Sequence, residues 1–349
     1  MKERNNRKSG KRTVLAVVCV LLALILVGIV AFLMIWKDIM SPINRLEGSF
    51  ETISSELEES IRNETDPTDP SFTGPVYTPE DATMPTEPVD TVMPANEIIN
   101  ILLVGQDRRE GQGRQRSDSM ILCTVNKSAK TLTMTSFLRD TWVRIPGRYD
   151  ERLNVPYVIG GFSLLNETLE YNFGVSTDHF VEVDFSGFKK VIDLVGGVDI
   201  SLSNAEANYL TSRREEWSFV KGENHLNGEQ ALDYARIRKL DNDLERSNRQ
   251  RKVITALLEK AMTLDIGQLT QMIKSTLSII TTDMTDMQIL GYVAELAPML
   301  PQLTIASQRI PADGAYAFAR IDGKSVIYLS PENLQKNIDI LKNTIELSE

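Results

Sequence analysis

Residues 119–137 read SMILCTVNKSAKTLTMTSF: two apolar-rich runs of strand length, 119–126 and 131–137, on either side of a polar turn at 127–130. Runs of this length, rich in β-branched residues and bounded by turn residues, read as neighbouring strands. Just upstream, INILLVG at 99–105 is a short apolar run ending in glycine, the pattern of a buried strand. Downstream, 179–185 alternates as a strand, 198–202 is strand-like, and two late strands are expected at 303–310 and 325–329. Helical patterns fall at 163–171, 188–195 (closed by Gly196 and Gly197), 228–235, 244–262, 266–280, 287–297 and 333–347. Strands mixed with helices predict an α/β fold, a mixed central sheet flanked by helices in an α-β-α sandwich.

Ionisable residues gather where these strands end, the place where a sheet presents groups to a cleft. Asp107 and Arg109 follow Gly105, Arg116 and Asp118 directly precede the second strand, and Arg139 and Asp140 follow the third. Arg152 lies in the loop RLNVPYVIGG. Two carboxylates at one sheet end, Asp107 and Asp118, suit Mg²⁺, a hard cation that takes oxygen ligands and phosphate. Arginines around them suit a diphosphate, which planar guanidinium forks bind in bidentate fashion. A single such pair reads equally as a surface salt bridge of little energetic consequence. The recurrence of the pattern favours an anion site.

A second cationic knot supports it. Residues 233–253, DYARIRKLDNDLERSNRQRKV, hold Arg236, Arg238, Arg246, Arg249 and Arg251, with Lys239 and Lys252, in a chain of formal charge -10. A helix starting near Asp243 sets Arg246, Arg249, Gln250 and Val253 in one arc of roughly 100°. Arginine in a first turn opposes the helix dipole, and a bound phosphate removes that conflict.

The rest of the chain locates this chemistry. Residues 13–36 contain 24 consecutive positions without a charge, enough to cross a hydrocarbon core of roughly 30 Å. The basic tail 1–12 predicts a cytoplasmic N-terminus, an uncleaved anchor and an extracellular remainder. Within 37–62, Ile43, Leu46, Phe50, Ile53, Leu57 and Ile61 predict an amphipathic juxtamembrane helix. Residues 63–97 are rich in Pro, Thr and acidic residues and read as a disordered linker, with a span of about 30–35 Å as a flexible coil. Residues 98–349 form the folded domain. Cys19 lies in the apolar run, so Cys123 alone remains for the exported part; an intramolecular disulfide and a multi-cysteine metal site are excluded there. His179 and His225 are too few for a His-rich zinc site. An extracellular domain without a broad basic face has no nucleic-acid role.

From Ile101 onward the chain resembles the LytR-CpsA-Psr family of envelope proteins. The segments that carry the likeness are LLVGQDRR, RSDSMIL, TSFLRDTWVRIP, ERLNVPYVIGG, VDFSGFKKVIDLVGGVDI, LNGEQALDYARIR and DNDLERSNRQ. The resemblance implies a Mg²⁺-dependent phosphotransferase. It would move a glycopolymer such as teichoic acid or capsule from a polyprenyl-pyrophosphate carrier onto peptidoglycan as a phosphodiester. It implies Mg²⁺ ligation by Asp107 and Asp118, and diphosphate binding by Arg116, Arg139, Arg152, Arg236 and Arg238. Asp243, Arg246 and Gln250 match the family's last motif. Departures are Leu138 for a proline, Leu244 and Glu245 for Phe-Gly, and Arg251 for a glutamine. Asp118, Asp140 and Asp243 all stand as bases for the acceptor hydroxyl. Val191, Leu194, Ile254, Leu257 and Leu258 are candidates for an apolar slot, and ordinary core packing explains them equally well. Alternative readings are a pyrophosphatase on the same donor and a non-catalytic module that binds polyprenyl phosphates.

Overall fold

The strand pair expected at 119–137 forms as an antiparallel hairpin, and the main sheet grows outward from it. The computed structural model describes residues 44–45, 53–67, 72–82, 84–91, 97–108, 111–241, 243–263, 275–277 and 279–346. In chain order these give β1 (Asn44–Arg45), α1 (Ser55–Arg62), β2 (Val76–Tyr77), β3 (Ile98–Gln106), β4 (Ser117–Asn126), β5 (Thr131–Phe137), β6 (Trp142–Arg144), β7 (Asp150–Arg152), α2 (Val155–Phe173) and β8 (His179–Asp184). There follow α3 (Phe185–Leu194), β9 (Val198–Leu202), α4 (Asn204–Thr211), β10 (Gly222–Leu226), α5 (Gly228–Ala235), α6 (Asp243–Met262), β11 (Ile280–Thr282), α7 (Asp286–Leu296), β12 (Thr304–Ile310), β13 (Ala317–Ile321), β14 (Lys324–Tyr328) and α8 (Pro331–Glu346).

The main sheet has the strand order β1-β11-β8-β3-β4-β5-β12. β3, β4 and β5 run antiparallel in turn, while β8 lies parallel to β3 and β12 parallel to β5. The sheet is therefore mixed, as the alternation of elements predicts. Because side chains alternate across a strand, its two faces carry different residues. Leu102, Val104, Met120 and Leu122 pack with Leu165, Leu169 and Phe173 of α2 and Leu341 of α8. Ile99, Ile121, Val125 and Met134 face Ile254 and Leu258 of α6 and Leu296 of α7. A sheet covered on both faces explains the near-continuous apolar runs of the central strands. Each fully buried Leu or Phe contributes about 1.5–3 kcal/mol.

A smaller core lies under α3, α4 and α5 and the antiparallel pair β9–β10, around Ile192, Val198, Leu210, Tyr234 and Ile237. Here α3 and α5 approach backbone to backbone. A Cβ on Gly228 would fall 2.2 Å from the carbonyl oxygen of Lys189, and the Gly228 N–H donates to Asp193 Oδ1 at 2.7 Å. Glycine is required there by close approach.

Three expectations change. The amphipathic helix of 37–62 is helical only over Ser55–Arg62 among the described residues, where Ser54 caps it by accepting from the Leu57 N–H. Asn44 and Arg45 instead pair in parallel with Thr281 and Thr282, because a sheet edge offers their backbone groups partners. The linker of 63–97 is docked where it is described. Val76 and Tyr77 pair with Arg320 and Ile321, the Tyr77 and Tyr328 rings lie 5.1 Å apart, Ala82 is buried, and the Val89 N–H donates to the Tyr171 carbonyl at 3.0 Å. Averaged composition misses a few apolar residues spaced to meet an open strand edge. The helix expected over 266–280 gives way at Ile280, which begins β11, while 264–274 lie outside the described residues. The apolar run 13–36 and the tail 1–12 also lie outside them. Among the described residues no helix is long and apolar enough to cross a membrane.

Candidate anion site at the sheet edge

Strand direction builds the site. β3 ends and β4 begins at the same edge, pairing Gln106 with Ser117 across a register shift after Gly105. That bulge re-aims the chain where Asp107 follows. β4 and β5 pair Ile121 with Ser136; carrying that register on sets Asp118 opposite Arg139. The contact is there: Arg139 Nη1 donates to Asp118 Oδ1 at 2.7 Å. Arg139 Nε also lies 3.5 Å from Asp140 Oδ2 and 3.4 Å from Asp243 Oδ1.

Helices bring the other cations to this edge. Arg246, one turn into α6, places Nη1 2.8 Å from Asp243 Oδ1 and donates through Nη2 to the Asp118 carbonyl at 3.4 Å. The chain leaving α5 buries Ile237 and exposes its neighbours Arg236 and Arg238. Arg238 reaches within 3.6 Å of Asp118 Oδ1 and Arg236 within 3.4 Å of Asp107 Oδ2. The Arg236 guanidinium also lies over the Phe185 ring, 4.3 Å from its centre.

The balance of charge is uneven. Burial works against ionised Arg139, but Asp140, Asp243 and Asp118 together raise its pKa. Burial lowers Arg246 to about 10; Asp243 offsets part of this, and repulsion from Arg139 and Arg238 adds to it. Burial raises the Asp140 carboxyl. The Nε atoms of Arg139 and Arg246 are buried without a hydrogen-bond acceptor among the described residues. Four guanidinium groups thus converge with donors to spare, and an anion would satisfy them.

Two cavities open from this cluster. One, of about 280 Å³, is an apolar slot between the sheet and α3, α5 and α6, walled by Leu103, Ile121, Phe185, Phe188, Val191, Leu232, Ile254, Leu257 and Leu258. The other, of about 440 Å³, is polar and lined by Asp107, Asp118, Arg139, Tyr209, Arg213, Asp233, Arg236 and Arg238. Asp118, Arg236 and Arg238 belong to both. Arg246 and Gln250 face the slot.

Not every residue singled out in the sequence arrives here. Arg116 is ion-paired with Glu64, and Arg152 lies 3.2 Å from Asp66 and 3.7 Å from Glu151; neither lines the cavities. Arg249 leaves the arc it was expected to share with Arg246 and turns to Glu206 at 2.7 Å. Leu194 is exposed and away from the slot, whereas Val191, Ile254, Leu257 and Leu258 line it. Arg109 lies outside the described residues. Phe185, Tyr209, Arg213 and Asp233 are new. Asp233 begins the cationic stretch and is overlooked there beside the arginines, while Tyr209 and Arg213 stand at no strand end. Among the described residues no group of three or more His, Cys, Asp or Glu side chains gathers to hold a metal.

Comparison with known proteins gives a consistent picture. The LytR_cpsA_psr family model matches residues 74–343. A relative from Enterococcus faecalis, the polyisoprenyl-teichoic acid–peptidoglycan teichoic acid transferase TagU, is 38% identical over 176 residues, 48% of this chain and 55% of the relative. The chain spans about half the length of the curated relatives it matches. The crystal structure of B. subtilis TagT superposes with a TM-score of 0.59 at 25% identity, covering 76% of this chain and 99% of that one. The LytR-CPS2A-psr family protein YwtF (TagT) with bound octaprenyl pyrophosphate lipid gives 0.55 at 25% identity, covering 74% and 95%.

Proposed function

The chain belongs to the LytR_cpsA_psr family, and on that premise we propose that it transfers a glycopolymer from a polyprenyl-pyrophosphate carrier onto peptidoglycan. The observation that carries this reading is the meeting of an apolar slot and a polar cleft at Asp118, Arg236 and Arg238. A lipid-linked glycan has the same order of chemistries: hydrocarbon tail, diphosphate, polyhydroxylated head. The relatives' names favour teichoic acid as the polymer. The apolar run 13–36 serves as a membrane anchor that keeps the domain beside its donor on the outer face.

Arg139, Arg236, Arg238 and Arg246 hold the diphosphate oxygens and neutralise the charge on them, the main task in phosphoryl transfer. A peptidoglycan hydroxyl attacks the phosphorus bonded to the glycan. The bond from that phosphorus to the bridging oxygen breaks, polyprenyl phosphate departs with the electron pair, and a phosphodiester remains. The hydroxyl proton passes to a carboxylate. Of Asp118, Asp140 and Asp243, only Asp118 faces the two cavities.

The donor set fits Mg²⁺. Asp107 and Asp118 both offer hard oxygens to the polar cleft, and Mg²⁺ is held by one or two carboxylates plus substrate phosphate and water. When bound it would neutralise further charge on the diphosphate. Transfer of glycan from purified lipid-linked donor to peptidoglycan, with and without Mg²⁺, tests the reading. Arg139→Ala and Arg238→Ala each reduce transfer at least about tenfold, and the exposed Arg238 does so with an unchanged unfolding midpoint. Release of free glycan phosphate despite abundant peptidoglycan would make the protein a pyrophosphatase. Donor binding without turnover and indifferent to Mg²⁺ would make it a binding module.

A further inference from the structure

The ion pairs that withhold Arg116 and Arg152 from the cavities come from one short arm, the segment from α1 to Pro67. The arm is docked along its length. Glu58 pairs with Arg148, and the Arg62 carbonyl accepts from Lys324 Nζ at 2.9 Å. Arg320 donates to the carbonyls of Asp66 and Pro67 at 3.0 and 3.1 Å. Asp66 itself is over-determined. Its N–H donates to the Gly323 carbonyl at 3.1 Å, and its Oδ2 accepts from the Ser325 N–H at 2.7 Å. Both carboxylate oxygens accept from Arg152 Nη1, at 3.3 and 3.2 Å.

Arg152 is in turn bonded into the turn that carries Arg139. It pairs with Trp142 across the β6–β7 hairpin. The two residues after it, Leu153 and Asn154, donate their N–H groups to the carbonyls of Thr141 and Arg139 at 2.8 and 3.1 Å. Charges therefore alternate from the arm to the cleft: Asp66 pairs with Arg152, whose charge acts on Asp140 at longer range, and Arg139 contacts Asp140, Asp118 and Asp243. Burial raises the Asp140 carboxyl, and Arg139 and Arg152 each pull it back. The Arg152 side chain is only 9% exposed, so it works from behind the site.

We propose that Asp66 is a positioning residue for the transfer reaction assigned above: by holding Arg152, it keeps the turn of Arg139 and Asp140 seated against Asp118 and Asp243. The inference rests on that assignment. Without the Asp66 charge, Arg152 is left to Glu151 and Asp140, competes with Arg139 for the latter, and loosens the guanidinium that meets the diphosphate.

Full-length protein in detergent tests this, using donor turnover and, separately, Mg²⁺-dependent binding of geranylgeranyl diphosphate. Asp66→Asn lowers kcat about tenfold and leaves donor KM within about twofold; Asp66→Glu restores at least about half of the loss. Arg148→Gln loosens the same arm at Glu58 without touching the charge chain, and keeps kcat within about twofold of wild type. Three results overturn the inference: an unchanged or raised kcat in Asp66→Asn, no restoration by Asp66→Glu, or an equal loss in Arg148→Gln, which would make the arm merely structural. Wild-type protein that neither binds the prenyl diphosphate nor consumes donor overturns the functional assignment instead. Wild-type binding and turnover with an unaffected Asp66→Asn overturns the positioning role alone.

Discussion

Arg246 and Arg249 stand three residues apart on α6 and are equally buried, at 3% and 4% exposure, yet their surroundings are opposite. Arg249 is fully engaged. Its fork reaches Glu206 at 2.7 Å, Asp241 at 3.0 Å and the Ile237 carbonyl at 3.1 Å. Burial opposes its charge, and Asp241 and Glu206 outweigh that and raise its pKa. Arg246 touches one carboxylate, Asp243, and a distant carbonyl; the repulsion of two arginines outweighs a weaker pull from Asp118. A buried arginine whose donors are all met holds the fold together. One held in a deficit of acceptors, beside a cavity, is set for a ligand.

The sharpest way to break this contrast is to remove each charge. Arg249→Met strands the carboxylates of Glu206 and Asp241, and unfolding in denaturant shows a loss of about 3–5 kcal/mol. Arg246→Met leaves Asp243 still beside Arg139, so stability changes by less than about 1 kcal/mol while donor turnover falls at least about tenfold. Equal destabilisation by the two would erase the distinction.

Acid titration sharpens it further. Burial pushes the Glu206 carboxyl up, but the Ser203 N–H and Arg249 outweigh this and hold it below its ordinary 4.5. A depressed folded pKa means stability that is present above the unfolded value and lost as pH falls through the folded one. Wild-type protein therefore loses stability below about pH 4.5, and Glu206→Gln flattens that acid limb in thermal melts between pH 3 and 6. Asp140 has the opposite sign, since its raised carboxyl favours the folded state on protonation.

The smallest effect concerns Phe185. An exposed cation–π contact is worth about 0.5–1 kcal/mol, so Phe185→Leu weakens prenyl diphosphate binding about two- to fivefold by calorimetry. No change would show that Arg236 is placed by Asp107 alone.

The contrast also marks how far the sequence could be read. Strand boundaries at 131–137 and 198–202 and the helix at 228–235 were legible because their apolar periods are clean. The meeting of Asp118 with Arg139 was legible too, since it follows from hairpin register. Helical spacing alone misplaces Arg249, because its partner Glu206 sits on α4, a helix with little amphipathic signal. The Ser203–Glu206 capping box was the one local clue to that helix. Likewise Glu64 and Asp66 stand in a stretch whose composition is that of a polar linker. What they do depends on Arg116 and Arg152, 52 and 86 residues further along, a distance over which local pattern carries no information.

For the lipid carrier proposed above, the contact at Gly228 bears on which tails the slot admits. With α3 and α5 locked main chain to main chain, two sides of the apolar slot form a fixed jaw. The facing jaw is the half-buried row Ile254, Leu257 and Leu258, whose rotamers can turn. The gauge of hydrocarbon accepted is therefore written on α6, and that is where the tolerance for a thicker or more branched tail would evolve.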